Sequence, residues 1–375
     1  MIFSCDRNQL KECINIVQKA VSTHSSMPVL EGILITTDTD KIILTGNNLE
    51  IGIEASVEAT VDRNGAVVVN SRLFGDIINK FTGDIVTCNC EENNVLNLKC
   101  GNSKFKITGI NPEQFPEIAK NKDRDLYCVS MEQRQFRELV RHTYYATGIS
   151  SPNIILTGCY FEASNGKANM VGVDGYRLAY RKIEKENIIV TSPENYQKIG
   201  TIIPSRSLVE LLKVTDDTEK TINIYGSAKH VRFEFENVIF VCRIIEGDFI
   251  DYNKILPDSN LTTVRLKGYE LLSAVERASL IITNDAGRAP VILDIENGEI
   301  KIDCETSAGT VKELISVDMV GENVKIGFNN KFLLDALKAV DTDDITLSFS
   351  GPMKPCLITP VSGDDYKYLV LPLKL

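Results

Sequence analysis

GAVVVNSRLFGDIINK (65–80), GTIIPSRSLVELLK (200–213) and NVKIGFNNKFLLDALK (323–338) are three versions of one segment. In each, an apolar run gives way to a stretch carrying a cation, an acid four residues later and a second cation. These are Arg72, Asp76 and Lys80, then Arg206, Glu210 and Lys213, then Lys331, Asp335 and Lys338. Apolar residues follow each acid (Ile77 and Ile78, Leu211 and Leu212, Ala336 and Leu337), so the spacing predicts a helix with one apolar face and one charged face. The copies are separated by 134 and 125 positions, counted from Ser71, Ser205 and Asn330, which is the spacing of domains and not of a solenoid.

Other elements keep the same period. An earlier amphipathic helix precedes each copy, with apolar stripes Leu10, Ile14, Val17, Val21, then Phe136, Leu139, Val140, then Leu271, Leu272, Val275. Cations occupy the other stripes, Arg7, Lys11 and Lys19 in the first and Arg134, Arg137 and Arg141 in the second, whereas the third has only Arg277 beside Glu270 and Glu276. Asp40-Lys41, Asn165-Gly166 and Asn297-Gly298 each interrupt alternating runs and read as hairpin turns. Each unit is therefore expected to run β-α-β-β-β-α and then into more strands. The fold class is α+β, three tandem domains over 1–122, 123–257 and 258–375.

With 375 residues and 43% hydrophobic content the chain can bury three cores of ordinary size. The start MIFSCDRNQLKECINIV has no secretory pattern and no apolar run reaches membrane-spanning length, so a cytoplasmic location is expected, with no membrane partner. Ten cysteines are scattered over strand and helix positions, among them Cys13, Cys159 and Cys242, and read as buried free thiols. Cys88, Cys90 and Cys100 form no Cys-x2-Cys pair, and the only histidines are His24, His142 and His230, so no metal site and no cofactor is expected. The run GVDG (172–175) lacks the spacing of a phosphate loop, and Asp174-Gly175 reads as a turn. No nucleophile has a recognisable base, so the chain is not expected to be an enzyme.

The formal net charge of −10 argues against nucleic acid, yet it is unevenly spread. The six helical stretches carry 13 Lys and Arg against 8 Asp and Glu, a net +5, leaving −15 elsewhere. For any one helix the cations read as a solvated face. Recurrence in two helices per unit points to a shared purpose, a modestly basic surface that holds phosphates without reading bases.

The paired cationic helices, SSMPVLEGILI (25–35), MVGVDGYRLAYRK (170–182), EGDFIDYNKILP (246–257) and the terminal LVLPLKL (369–375) together resemble the β sliding clamp family, the processivity subunits of bacterial DNA polymerase III. The resemblance runs from Met1 to Leu375. It implies a head-to-tail homodimer closed into a ring, with twelve helices lining a hole threaded by duplex DNA. It also implies a non-catalytic tether for the replicative polymerase, the clamp loader, and repair and replication-control proteins. By resemblance the DNA-binding residues are His24, Arg72, Arg137, Arg141, Arg206 and Lys331, and the dimer contact sets Phe105 against Ile281 and Ile282. A groove for short apolar peptides would be lined by Leu156, Val173, Gly175, Tyr176, Arg177, Leu178, Ile250, Lys254 and Ile255. Met353, Pro355, Val370, Leu371, Pro372, Leu373 and Leu375 would complete it.

The chain departs from the family pattern at Ile250 for proline, Val173 for threonine, Tyr176 for histidine and Lys374 for arginine, which bears on the fine peptide preference. Read without the resemblance, LVLPLKL is also an ordinary final strand, and Phe105 and Ile281 are also core residues of their own domains. Two other functions stand beside the clamp: an acidic three-domain peptide-binding scaffold that does not encircle DNA, and a hydrolase drawing on the 51 carboxylates.

Overall fold

The computed structural model describes residues 1–120, 125–192, 199–257, 259–282 and 289–374. The chain forms two compact units, the first of Met1–Phe136, Asn187–Gln197 and Arg206–Ile244, the second of Arg137–Glu186, Lys198–Ser205 and Ile245–Leu375. Six α-helices occur among the described residues: α1 (Arg7–Val17), α2 (Ser71–Lys80), α3 (Gln133–Arg141), α4 (Ser205–Leu212), α5 (Gly268–Ser279) and α6 (Asn330–Lys338). Five begin directly after a strand and α6 one residue after one, and α1, α2 and α6 have a side-chain cap. Asp6 accepts from the amides of Asn8 and Gln9, Asn70 from Leu73, and Asn329 from Lys331 and Phe332, satisfying amides that a helix start leaves without partners. Their apolar stripes go inward, for example Leu10, Cys13, Ile14 and Val17 on α1 and Leu333, Ala336 and Leu337 on α6. Full burial of one such Leu or Ile contributes about 1.5–3 kcal/mol.

The first unit is organised on a thirteen-stranded antiparallel sheet; the second has a nine-stranded and a four-stranded sheet. Between its two helices the first repeat has four strands, Gly32–Thr37, Lys41–Asn47, Ile51–Arg63 and Ala66–Asn70, and the other two repeats have five each among the described residues. The sequence expectation of three is corrected. The additional strands include Ile189–Thr191 and Asp318–Gly321, edge strands of three and four residues, too short for alternation to reveal them.

Consecutive repeats are joined by strand pairing, and the units cut across the repeats. Ile51–Arg63 of the first repeat pairs with Val238–Arg243 of the second, Ile51 opposite Cys242. Arg177–Glu184 of the second pairs in the same way with Tyr366–Val370 of the third, Arg177 opposite Val370. Detail repeats at both seams: the side chain of Asn48 accepts from the amides of Glu50 and Ile51, and that of Asp174 from Tyr176 and Arg177. The residue that follows has positive φ in both, Leu49 at 73° and Gly175 at 89°. Asp174-Gly175 is thus the turn read from the sequence, and Asn297-Gly298, at 53° and 78°, has the positive φ pair of a tight hairpin.

Gly46 and Gly172 hold equivalent strand positions under the first helix of their repeats. A Cβ there would lie 2.3 Å from the carbonyl oxygen of Val17 and of Thr143, so only glycine lets the helix end approach the sheet this closely. All ten cysteines are free thiols, nine of them buried. Burial pushes Cys5 and Cys159 up to about 12, which makes them packing groups and not nucleophiles.

Candidate functional site

At the start of α2, α4 and α6 stand Arg72, Arg206 and Lys331, all exposed. Among the described residues none has a carboxylate within ion-pair distance. A cation at a helix start opposes the helix dipole at a cost of about 0.3–1 kcal/mol, and a cation preceding its acid by four residues is the weaker pairing order. The three positions are therefore not explained by helix stability. Some other cations are compensated, Arg134 on α3 by Glu132 at 2.6 Å and Glu219 at 3.0 Å, Lys213 just after α4 by Glu210 at 2.7 Å, Arg277 on α5 by Glu313 at 2.7 Å and Lys338 on α6 by Glu276 at 3.2 Å, whereas Lys11 on α1 and Lys80 on α2 have no ion pair among the described residues. His24 and Arg141 are exposed.

Arg137 is not on the charged face that the sequence suggested. It is 9% exposed, because α3 buries a broad arc that includes Gln133, Gln135, Phe136, Leu139 and Val140, and position 137 falls one turn after Gln133. The polar residues at 133, 135 and 137 hid that arc from a reading based on apolar spacing.

The groove residues lie in the second unit, and the structure brings most of them together. Leu156, Val173, Leu178, Ile250 and Leu371 share one apolar cluster with Val171, Tyr252 and Leu369. The connector after the second repeat covers it: Phe249 stacks on Tyr160 at 4.9 Å, and Tyr252 donates its hydroxyl to the buried Glu162 at 2.8 Å, where Asn169 also donates at 2.9 Å. Tyr176, Ile255 and Met353 stand exposed around it, Pro355, Pro372 and Leu373 are half-buried, and Gly175 forms the rim turn. Lys254 is exposed and pairs with Asp251 at 2.9 Å. Leu375 lies outside the described residues.

Two assignments change. Val370 points to the opposite face of its strand and is fully buried in the core of the third repeat, while its neighbours Leu369 and Leu371 join the groove cluster. Strand alternation requires this, and applying a period of two to LVLPLKL identifies Leu369. Arg177 is no free cation facing the groove. It is 7% exposed, donates to Asp174 at 2.9 Å and Asp335 at 2.6 Å, and lies over the rings of Phe332 at 4.5 Å and Tyr145 at 5.5 Å. The sequence reading also missed Tyr160, Tyr180, Phe249 and Tyr252, although FPEI at 115–118 and FIDY at 249–252 mark the connector twice.

Of the residues that the resemblance implies for a dimer contact, Phe105 lies on an edge strand, and Ile281 and Ile282 follow the end of α5. Ser103–Thr108 ends the thirteen-stranded sheet with every side chain exposed except Ile107; Phe105 is 44% exposed and meets Phe81 edge-on at 5.6 Å. Gly309–Ser316 ends the four-stranded sheet. Ile281 and Ile282 are half-buried against the core of their own repeat. Leu280 and Leu314, 79% and 58% exposed, were not singled out in the sequence. Such edges present unpaired backbone donors and acceptors to another strand.

Among the described residues no group of three or more His, Cys, Asp or Glu is placed to hold a metal ion. Nor is any helix long and apolar enough to cross a membrane.

Comparison with known proteins agrees along the chain. Residues 1–119 match the family model for the DNA polymerase III beta subunit, N-terminal domain, residues 130–251 the central domain and residues 253–374 the C-terminal domain. A beta sliding clamp of Staphylococcus aureus is 30% identical over 386 aligned residues, covering 100% of this chain and 99% of the relative. Among solved structures, a DNA polymerase III beta subunit from Eubacterium rectale superposes with a TM-score of 0.94 at 30% identity, each chain covered completely. The DNA polymerase sliding clamp of Bacillus subtilis does so at 0.93 and 27% identity, over 100% of this chain and 99% of that one.

Proposed function

The chain belongs to the DNA polymerase III beta subunit family and is a sliding clamp, and on that premise we propose that two copies close head to tail into a ring around duplex DNA. The ring tethers by topology, so it needs no catalytic group and only weak phosphate contact. The observation that carries this reading is the recurrence of Arg72, Arg206 and Lys331, three exposed cations at helix starts without a compensating carboxylate among the described residues. His24 and Arg141 add to that surface; Arg137, being buried, does not.

Closure joins the edge strand that carries Phe105 to the edge strand Gly309–Ser316 of the second copy, with Leu280, Ile281, Ile282 and Leu314 receiving the ring. A head-to-tail contact of this kind closes after two protomers. The groove around Leu156, Val173, Leu178, Ile250 and Leu371 takes short apolar and aromatic peptide segments of the replicative polymerase, the clamp loader and repair factors in the cytoplasm. Because Arg177 is consumed internally, recognition there rests on apolar anchors, with exposed cations such as Lys254 nearby in the chain.

Sedimentation at increasing dilution, together with retention on circular duplex after loading, tests the ring. The expected result is twice the monomer mass and release of the protein when the circle is cut. A monomer that binds the peptides yet is never retained on circles would instead be the acidic scaffold.

A further inference from the structure

We propose that Arg177 is a positioning residue for DNA contact: it cancels the carboxylate of Asp335 and leaves Lys331 an uncompensated cation at the start of α6. The inference rests on the reading that Lys331 meets phosphate, and it assigns to a groove residue a task on the other ligand's surface.

Asp335 follows Lys331 by one helical turn, a spacing that places the two side chains on neighbouring positions of the same face. Left alone, that carboxylate would either draw the ammonium toward itself or repel an approaching phosphate. It is not left alone. Arg177 comes from the strand Arg177–Glu184 of the preceding repeat and donates through NH1 to Asp335 Oδ2 at 2.6 Å, while its Nε donates to Asp174 Oδ2 at 2.9 Å. The guanidinium is fixed in place by the ring of Phe332, the residue next to Lys331, which in turn stacks on Tyr176 at 5.8 Å. With 7% exposure Arg177 reaches neither solvent nor peptide freely, so its charge is spent within the fold.

The second repeat solves the same problem with a different cation. Glu210, one turn after Arg206, is engaged by Lys213 at 2.7 Å, and Arg206 again stands without a carboxylate among the described residues. In both repeats the acid that would compensate the helix-start cation is taken up by another basic group. In the third, that group is supplied across the seam between repeats, at the rim of the peptide groove.

The test is equilibrium binding of the full-length protein to linear duplex, followed by fluorescence anisotropy over a salt series. Lys331→Gln should lower the slope of log affinity against log salt by about 0.9 for each phosphate that is no longer neutralised. Arg177→Gln should lower it equally, Asp335→Asn should leave it unchanged, and Arg177→Gln with Asp335→Asn should restore the original slope. A purely structural Arg177 would lower the melting temperature without moving the slope, and that result overturns the proposal, as does failure of Asp335→Asn to rescue. Asp335→Asn alone keeps the idea falsifiable if Arg177→Gln does not fold, because a steeper slope there would mean that Asp335 was never cancelled. An unchanged slope in Lys331→Gln refutes the DNA reading of α6 itself, an outcome distinct from failure of the Arg177 arms.

Discussion

Phe105→Ala separates an interface residue from a core residue, since its ring is partly spent inside its own domain and partly left over. Its intradomain contact is the edge-on approach to Phe81 at 5.6 Å, worth about 0.5–1.5 kcal/mol beyond area burial. That loss falls on monomer stability. The remaining 44% exposure, applied to a side chain of about 200 Å², leaves roughly 90 Å² to be covered by a partner. At about 25 cal/mol per Å² that is roughly 2 kcal/mol for one interface. A closed two-protomer ring has two such interfaces, so the dimer should be weaker by about 4 kcal/mol, close to a thousandfold in dissociation constant. Sedimentation velocity over a dilution series reads the dimer, and thermal unfolding of the diluted monomer reads the intradomain part. A dimer constant within about threefold of the original, with a lowered melting temperature, would refute the reasoning and return Phe105 to the core of the first repeat.

Charge reversal of Arg72, Arg206 and Lys331 together should abolish retention on circular duplex while the dimer persists; the salt slope on linear DNA should shrink by about 0.9 per phosphate released. Leu178→Ala should cost a polymerase-type peptide about 2 kcal/mol by calorimetry, and Met353→Ala less, because a flexible thioether is not a sole wall. Val370→Ala should lower stability by about 1 kcal/mol or more with peptide affinity unchanged, because its side chain packs in the third repeat's core and not in the groove. Burial, with Arg181 nearby, depresses His142 to about 4 from its ordinary 6.5. Between those values the unfolded chain binds the extra proton, so stability should fall as pH drops from about 6.5 toward 4 and be unaffected above 7. Denaturant titrations of His142→Gln should show that part of the pH dependence removed.

The sequence by itself determined what is local. Helix period and turns such as Asn297-Gly298 act within a few residues, so three repeats with two helices each were legible, and so was the α+β class. The apolar cluster proposed as the groove was legible in part, because Leu156, Val173, Leu178 and Leu371 sit in short segments that resemble a family. Tertiary structure decided what depends on partners distant in the chain. It buried Arg137, turned Val370 away from the groove and brought in Leu369, and tied Arg177 to Asp335 across 158 positions. It also joined each repeat to the next through strand pairing, Ile51 with Cys242 and Arg177 with Val370, so that the compact units are not the repeats. The physical reason is that an arginine or valine carries the same local propensity whichever way it faces; its neighbours across the sheet or on the packed helix fix its orientation, and no spacing along the chain encodes them.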